Sequence, residues 1–198
     1  MTKGIRWRVL VLQLGLVGIF AFAAGILFWG GNFSRDTIRD QLTAQQIVFP
    51  PATSHAITAL PAADATAMKV YAGQPLTNGD QAKTYANSFI GVHLTEVAGG
   101  KTYAQVSAAS LADPTNTKLA GQVNTLFKGE TLRGLLLNAY GWWTVGTVAI
   151  YAGIGMAVAA FAVFIALLFE LYRWRIVTRK ERVGAAAAPH RHATGIAA

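Results

Sequence analysis

The sequence predicts an all-α membrane protein in which two transmembrane helices flank a small extracytoplasmic helical bundle. Three observations predict this fold class. Apolar residues make up 53% of the 198 residues and charged residues only 13%, whereas a soluble domain has roughly 25% charged residues. The apolar residues are concentrated in two uncharged blocks, and no alternating strand pattern separates them. The net charge of +8 lies mostly beside these blocks, so no nucleic-acid partner is expected.

The first apolar block, residues 9–29, contains 21 residues without a charge, which span about 30 Å as a helix. A cleaved signal peptide is the alternative, because Ala21-Phe22-Ala23 after a basic start resembles a cleavage site. The apolar run continues to Trp29, however, which would place that bond inside the membrane. The sequence therefore favours an uncleaved transmembrane helix.

The second apolar block is uncharged from Gly134 to Phe169, which is longer than a helix needs to cross the bilayer at a right angle. We predict the transmembrane helix at residues 142–171. The extra length predicts either a tilted helix or a first turn that projects from the membrane.

Basic residues outside the two blocks predict the orientation, because Lys and Arg accumulate on the cytoplasmic side of membrane helices. Residues 1–8 and 172–198 carry these charges, so both termini are predicted to be cytoplasmic and residues 30–141 extracytoplasmic, in the plasma membrane. The end of the chain after Gly184 is rich in Ala and cannot bury a core. We predict a basic, disordered tail there.

Tryptophan and arginine residues mark the predicted membrane boundaries. Indole rings favour the level of the lipid headgroups, and long basic side chains can reach it from a helix end. The predicted interface anchors are Trp7, Trp29, Trp142, Trp143, Trp174, Arg133, Arg173 and Arg175. For Arg133, binding of a lipid phosphate at the outer leaflet is the alternative.

Small residues recur at helical spacing along both blocks. A face of small side chains lets helix backbones approach closely in lipid. The predicted helix-packing residues are Gly18, Ala21, Gly25, Ala149, Gly153 and Ala157. They predict a hairpin of the two spans or contact with helices of another protein, and the general abundance of small residues in membrane helices is the alternative explanation.

The segment between the blocks has several helix signals. A helix that begins near Ser34 and ends before Phe49-Pro50-Pro51 is predicted as a continuation of the first span. Residues 52–66 are rich in Ala, Thr and Pro and predict an extended linker or a surface loop. Apolar residues at steps of three and four predict an amphipathic helix from Asn78 to Gly99.

Two further cap signals follow. Thr102 predicts the start of a short helix, and Asp113-Pro114 predicts the start of another that ends at Gly129. From Glu130 onward, one helix is predicted to run into the second span. The segment between the spans would then form a small helical bundle.

Several short motifs resemble those of an actinobacterial family of two-span membrane proteins. They are Asp40-Gln41-Leu42 with Gln45-Gln46-Ile47, Ala82-Lys83-Thr84-Tyr85-Ala86 through His93, Gly99-Gly100-Lys101-Thr102-Tyr103-Ala104, and Leu132-Arg133-Gly134-Leu135. The resemblance covers residues from about 5 to 175. It implies two spans, and many members carry the label of aromatic ring-opening dioxygenase. It assigns no catalytic residue.

A ring-opening dioxygenase of the non-haem type needs iron bound by two histidines and one carboxylate. His93 and Glu96 lie three residues apart on one predicted helix face and are the candidate metal ligands. A half-buried helix histidine is the alternative. His55 falls in the predicted linker, and His190 and His192 fall in the predicted cytoplasmic tail. We therefore predict no metal and no other cofactor.

The sequence contains no nucleophile with an identifiable base and no cysteine. The leading hypothesis is a non-enzymatic accessory or scaffold subunit of the cell envelope. It would dock to a membrane-protein partner or self-associate through its outer domain and its small-residue faces, surrounded by membrane lipids. A module that binds lipid or an envelope precursor is the alternative, and a metal-dependent enzyme is the third hypothesis.

Overall fold

The computed structural model describes residues 3–186, which form helices joined by loops. The helices are α1 (Lys3–Ala44), α2 (His55–Thr58), α3 (Ala62–Lys69), α4 (Gly79–Thr84), a π-helix (Tyr85–Gly91), α5 (Val92–Ala98), α6 (Tyr103–Ala112) and α7 (Thr117–Ala186). Residues 3–186 contain no strand. A single isolated β-bridge in this range joins Val48 and Pro75. The predicted all-α class is confirmed.

Two helices are long and apolar enough to cross a membrane, in Gly4–Ala44 and in Thr117–Lys180. The first includes the helix predicted from Ser34, so that helix continues the apolar segment without a break. The second extends to Ala186. The beginning of the predicted disordered tail is therefore helical, and the predictions for His190 and His192 lie outside the described residues.

The chain forms two compact units. The terminal unit comprises Met1–Ile26 with Ala152–Ala198, and the central unit comprises Leu27–Tyr151. The predicted extracytoplasmic domain, residues 30–141, falls within the central unit.

The main core of the central unit includes the segment that the sequence predicts as a linker, residues 52–66. That prediction is wrong, because α2 and the start of α3 lie there. Ile57 and Met68 are completely buried in the core. In the sequence, Ala, Thr and Pro residues surround these two side chains, and the apolar spacing is too irregular to predict a helix.

The predicted amphipathic helix is present as three consecutive pieces, α4, the π-helix and α5. Its predicted ends are confirmed. Asn78 and Gln81 form a capping box at the start, and Gly99 adopts the left-handed conformation (φ 59°) that ends the helix.

The π-helix has a physical reason in the apolar pattern. Ala82, Ala86, Ile90, Leu94 and Ala98 recur every four residues and all contribute to the cores. An α-helix has 3.6 residues per turn, so such a repeat would rotate off the packed face. The wider π-helical turn, with its i to i+5 hydrogen bonds, keeps these residues aligned.

Of the last two helices, α6 begins where the sequence predicts and α7 does not. Thr102 caps α6 through a capping box with Gln105, as predicted. Asp113 does not start a helix. Its carboxylate accepts hydrogen bonds from the side chains of Thr115 and Asn116, and Asn116 caps α7 by accepting from the backbone N–H of Leu119 at 3.2 Å.

No helix end occurs at Gly129, where the sequence predicts one. α7 passes through this residue without interruption. A Cβ atom at Gly129 would overlap the side chain of Leu94. The glycine is therefore explained by the close approach of α5 to α7 rather than by a helix stop.

Candidate functional site: the α7 face and the Trp143 junction

Three helices meet at Trp143, and we call this meeting point the Trp143 junction. The indole is only 7% exposed and belongs to the main core. The guanidinium of Arg35 in α1 lies 4.3 Å from the ring centroid, and a Cβ at Gly79 of α4 would overlap the Trp143 side chain. Protein atoms therefore cover the Trp143 ring, and its role at a membrane boundary stays a prediction.

Helices α1 and α7 touch through two glycines at this junction. A Cβ at Gly31 would lie 2.7 Å from the carbonyl oxygen of Gly146, and a Cβ at Gly146 would lie 2.8 Å from the carbonyl oxygen of Gly31. One turn further along α1, the Ser34 hydroxyl donates to the Trp142 carbonyl at 2.8 Å. Neither glycine could be predicted as a contact residue, because nothing in their spacing distinguishes them from the other small residues.

Most of the predicted helix-packing residues do not pack within the chain. Gly18, Ala21, Gly25 and Ala157 are exposed, Ala149 is half-buried and Gly153 is buried. A Cβ at Gly18 or Gly25 would meet no other atom within 4 Å. Among the described residues of α1 in the terminal unit, the buried ones are instead Leu10 and Ala24.

Arg133 contacts the π-helix instead of pointing along α7. Its guanidinium donates to the Asn87 side chain at 3.2 Å and to Glu130 at 3.3 Å. A Cβ at Gly91 would lie 3.4 Å from Arg133 Nε. Arg133 precedes Trp143 by ten residues, or about 15 Å along the helix. Its donors thus bind within the central unit, and its role as a headgroup anchor stays a prediction.

The remaining predicted anchors have mixed exposure. Trp7, Trp29 and Trp142 are exposed, Trp174 is half-buried, and Arg173 and Arg175 are exposed. The Trp29 ring stacks on Phe33 at a centroid distance of 5.8 Å, and the Arg173 guanidinium lies 5.9 Å from the Phe169 ring centroid. Their role at a membrane boundary stays a prediction.

The candidate metal ligands His93 and Glu96 are both exposed on α5. His93 Nδ1 lies 2.7 Å from the Phe89 carbonyl, so Nδ1 carries a proton and only Nε2 is open to a ligand. Between residues 3 and 186, no group of three or more His, Cys, Asp or Glu side chains could hold a metal ion. The structure therefore brings no third ligand to this pair. His55 lies exposed at the start of α2.

A run of aromatic rings ties the loop after α1 to the π-helix. Phe49 contacts Tyr71 and Tyr85 at centroid distances of 5.4 and 5.3 Å, and Tyr85 contacts Phe89 at 4.9 Å. Burial raises the pKa of the Tyr85 hydroxyl above its usual value of 10.0. This cluster packs the loop after α1 against the π-helix.

One side of α7 in the central unit stays exposed although it carries large apolar residues. Phe127, Leu135 and Trp142 are 57%, 65% and 55% exposed and follow one another at steps of eight and seven residues. Between them, Gly134 and Gly141 have open space where a Cβ would stand. We call these five residues the α7 face.

A shallow cleft of about 220 Å³ lies at the C-terminal end of the α7 face. It is lined by Asn138, Gly141, Trp142 and Val145. Its lining contains no ionisable side chain. No family model, curated protein or solved structure matches the chain.

Proposed function

We propose that the protein is a non-enzymatic accessory or scaffold subunit of the plasma membrane. In this proposal α1 and α7 cross the membrane, both termini are cytoplasmic and residues 30–141 are extracytoplasmic. The α7 face binds a helix of another membrane protein or of a second copy of the chain. The observation that carries the proposal is the exposure of large apolar side chains along α7 beyond the level at which lipid could cover them.

The level of the membrane boundary is estimated from α1. The uncharged segment of α1 ends at Ser34, and the Ser34 hydroxyl binds the Trp142 carbonyl. Phe127 precedes Trp142 by fifteen residues, or about 22 Å along α7. Phe127 is therefore in water in this arrangement, and a large exposed apolar surface in water typically marks a protein interface.

The small residues of the α7 face suit a helix as the partner. Gly134 and Gly141 leave room for a neighbouring backbone to approach closely. Asn138 lies between them and is exposed, so its amide can bond across such a contact. Val145 continues the same side of α7 toward the membrane and is 55% exposed. A partner helix could thus follow α7 across the boundary.

The proposed orientation is tested by single cysteines, since the native chain has none. Leu111→Cys, at a position that is 80% exposed, should react with a membrane-impermeant maleimide on intact cells. Lys180→Cys should react only after the cells are permeabilised. The reverse pattern, or equal labelling of both on intact cells, would contradict the orientation.

Docking at the α7 face is tested by cross-linking in native membranes. Asn138→Cys on the α7 face should give a disulfide-linked dimer, or an adduct with a partner through a short bis-maleimide. Thr144→Cys is the matched control, because Thr144 is equally exposed but lies about 120° around the helix. Cross-linking at Asn138→Cys that does not exceed that of Thr144→Cys would contradict the proposal.

A further inference from the structure

We infer that Arg35, held on the Trp143 ring, binds the phosphate group of a membrane lipid at the outer boundary of the membrane. The inference rests on the membrane location proposed for α1 and is independent of docking at the α7 face. It concerns a different residue on a different helix from the lipid-phosphate alternative that the sequence suggests for Arg133.

The first support is the fixed position of the Arg35 side chain. Its Cγ passes over Gly146, where a Cβ would lie only 3.0 Å away. Its guanidinium then lies over Trp143, 4.3 Å from the ring centroid. An arginine stacked on an indole in this way presents its remaining N–H donors at the edge of the plane. The absence of a side chain at Gly146 makes this course possible.

The second support is that no carboxylate neutralises Arg35. Among the described residues, ion pairs join Asp36 to Arg39 at 2.8 Å and Glu130 to Arg133 at 3.3 Å. The Nε atom of Arg35 is buried without a hydrogen-bond partner. No ion pair in the described part of the chain occupies the guanidinium, and its planar group of N–H donors can match two phosphate oxygens.

Neighbouring charges on α1 leave Arg35 as the group that would bind the anion. Arg39 lies 6.0 Å from the same ring centroid, but Asp36 pairs with it. The carboxylates of Asp36 and Asp40 are attached about 100° and about 140° around the helix from Arg35. Both are exposed to solvent.

The third support is the level of Arg35 along α1. It is the first charged residue after the uncharged segment of residues 9–34. Trp29 and Phe33 are stacked and are 71% and 62% exposed, as expected for aromatic residues near the headgroups. Arg35 lies about 9 Å beyond Trp29. Phosphate could come from a lipid or from solution, and this level favours the lipid.

The test uses the full-length protein, purified in mild detergent and analysed by native mass spectrometry with added phosphatidylglycerol or with diacylglycerol, which lacks the phosphate. The wild type should retain phosphatidylglycerol and not diacylglycerol. Arg35→Gln should retain about tenfold less phosphatidylglycerol, because a bidentate charge-assisted contact is lost. Arg39→Gln, the matched control one turn away, should retain as much as the wild type.

Three results would overturn the inference: equal retention of the two lipids, equal retention by Arg35→Gln and wild type, or an equal loss in Arg39→Gln. Displacement of the lipid by millimolar inorganic phosphate would identify soluble phosphate as the source and overturn the lipid assignment. If Arg35→Gln does not fold, the same lipid retention is measured for Arg35→Lys instead. Lysine keeps the charge and loses the fork, so retention should fall about threefold, and unchanged retention would overturn the inference.

Discussion

The central and terminal units differ in how far they bury large apolar side chains. The fully buried large side chains, Phe49, Ile57, Met68, Leu76 and Leu126, all belong to the central unit. In the terminal unit Phe22 and Phe161 are 70% and 66% exposed. The central unit thus buries a core of large apolar side chains, as a domain in water does, and leaves its α7 face exposed, whereas the terminal unit exposes large side chains as helices in lipid do.

The two units also differ in their backbone. The central unit contains loops whose polar groups bind each other, such as the N–H of Phe49 to the Gln74 carbonyl at 2.9 Å and the N–H of Leu76 to the Ile47 carbonyl at 2.8 Å. The described part of the terminal unit consists only of helix. Continuous helix satisfies backbone groups where no water is available, so this difference agrees with a membrane location for the terminal unit.

The largest effect should come from removing an aromatic ring of the central core. Phe49→Ala should destabilise the central unit by about 3–5 kcal/mol, because the ring is 1% exposed and its loss leaves a cavity. Denaturant unfolding in detergent, followed by near-ultraviolet circular dichroism, measures this. The control Phe161→Ala should leave that transition unchanged, and equal losses would break the comparison of the two units.

A smaller effect should follow from filling the glycine contact between α1 and α7. Gly146→Val should cost about 1–3 kcal/mol, because its side chain would press on Gly31 and Arg35. Gly141→Val, where the space is open, is the matched control and should cost less than about 1 kcal/mol. The same unfolding measurement applies, and the two variants should not behave alike.

The two capping boxes allow a comparison within the central unit. Asn78→Ala should cost about 1–2 kcal/mol, because Asn78 caps α4 beside Gln81, which is only 4% exposed. Thr102→Ala should cost about 0.5–1 kcal/mol, because water can replace the contacts of its exposed box. Midpoints of thermal unfolding give the order, and a larger loss at Thr102 would contradict the burial argument.

The smallest effect at neutral pH concerns Tyr85, whose pKa is raised by burial. A raised pKa favours the neutral hydroxyl in the folded state. The resulting stability is complete below pH about 10 and is lost as the pH rises through the folded-state pKa. Tyr85→Phe should therefore flatten the fall in stability above pH about 10. An unchanged alkaline profile would show that Tyr85 does not cause it.

Helix ends and apolar blocks were predictable from the sequence because they depend on neighbouring residues. The caps at Asn78 and Thr102 and the left-handed stop at Gly99 follow from local chemistry and are confirmed. The short helices α2 and α3 escaped prediction, because their stability comes from burial against other elements rather than from their own pattern.

The candidate site was less predictable because it depends on contacts between distant residues. Gly129 looks like a helix stop in sequence, and only the position of Leu94 explains it. Trp143 looks like an interface tryptophan until Arg35 and Gly79 are brought onto it. Conversely, Phe127 looks like a core residue in its apolar pattern and is exposed. Sequence spacing identifies a helix face but does not show what covers it.

The most direct test of the proposed scaffold role is affinity purification of the tagged protein from its native membrane in mild detergent, with mass spectrometry of the proteins that accompany it. The wild type should bring down a stoichiometric partner or a second copy of the chain. Leu135→Glu on the α7 face should lose that companion, while Leu111→Glu, on exposed α6, should retain it. A wild-type protein that emerges alone, or a companion that Leu135→Glu keeps, would contradict the account.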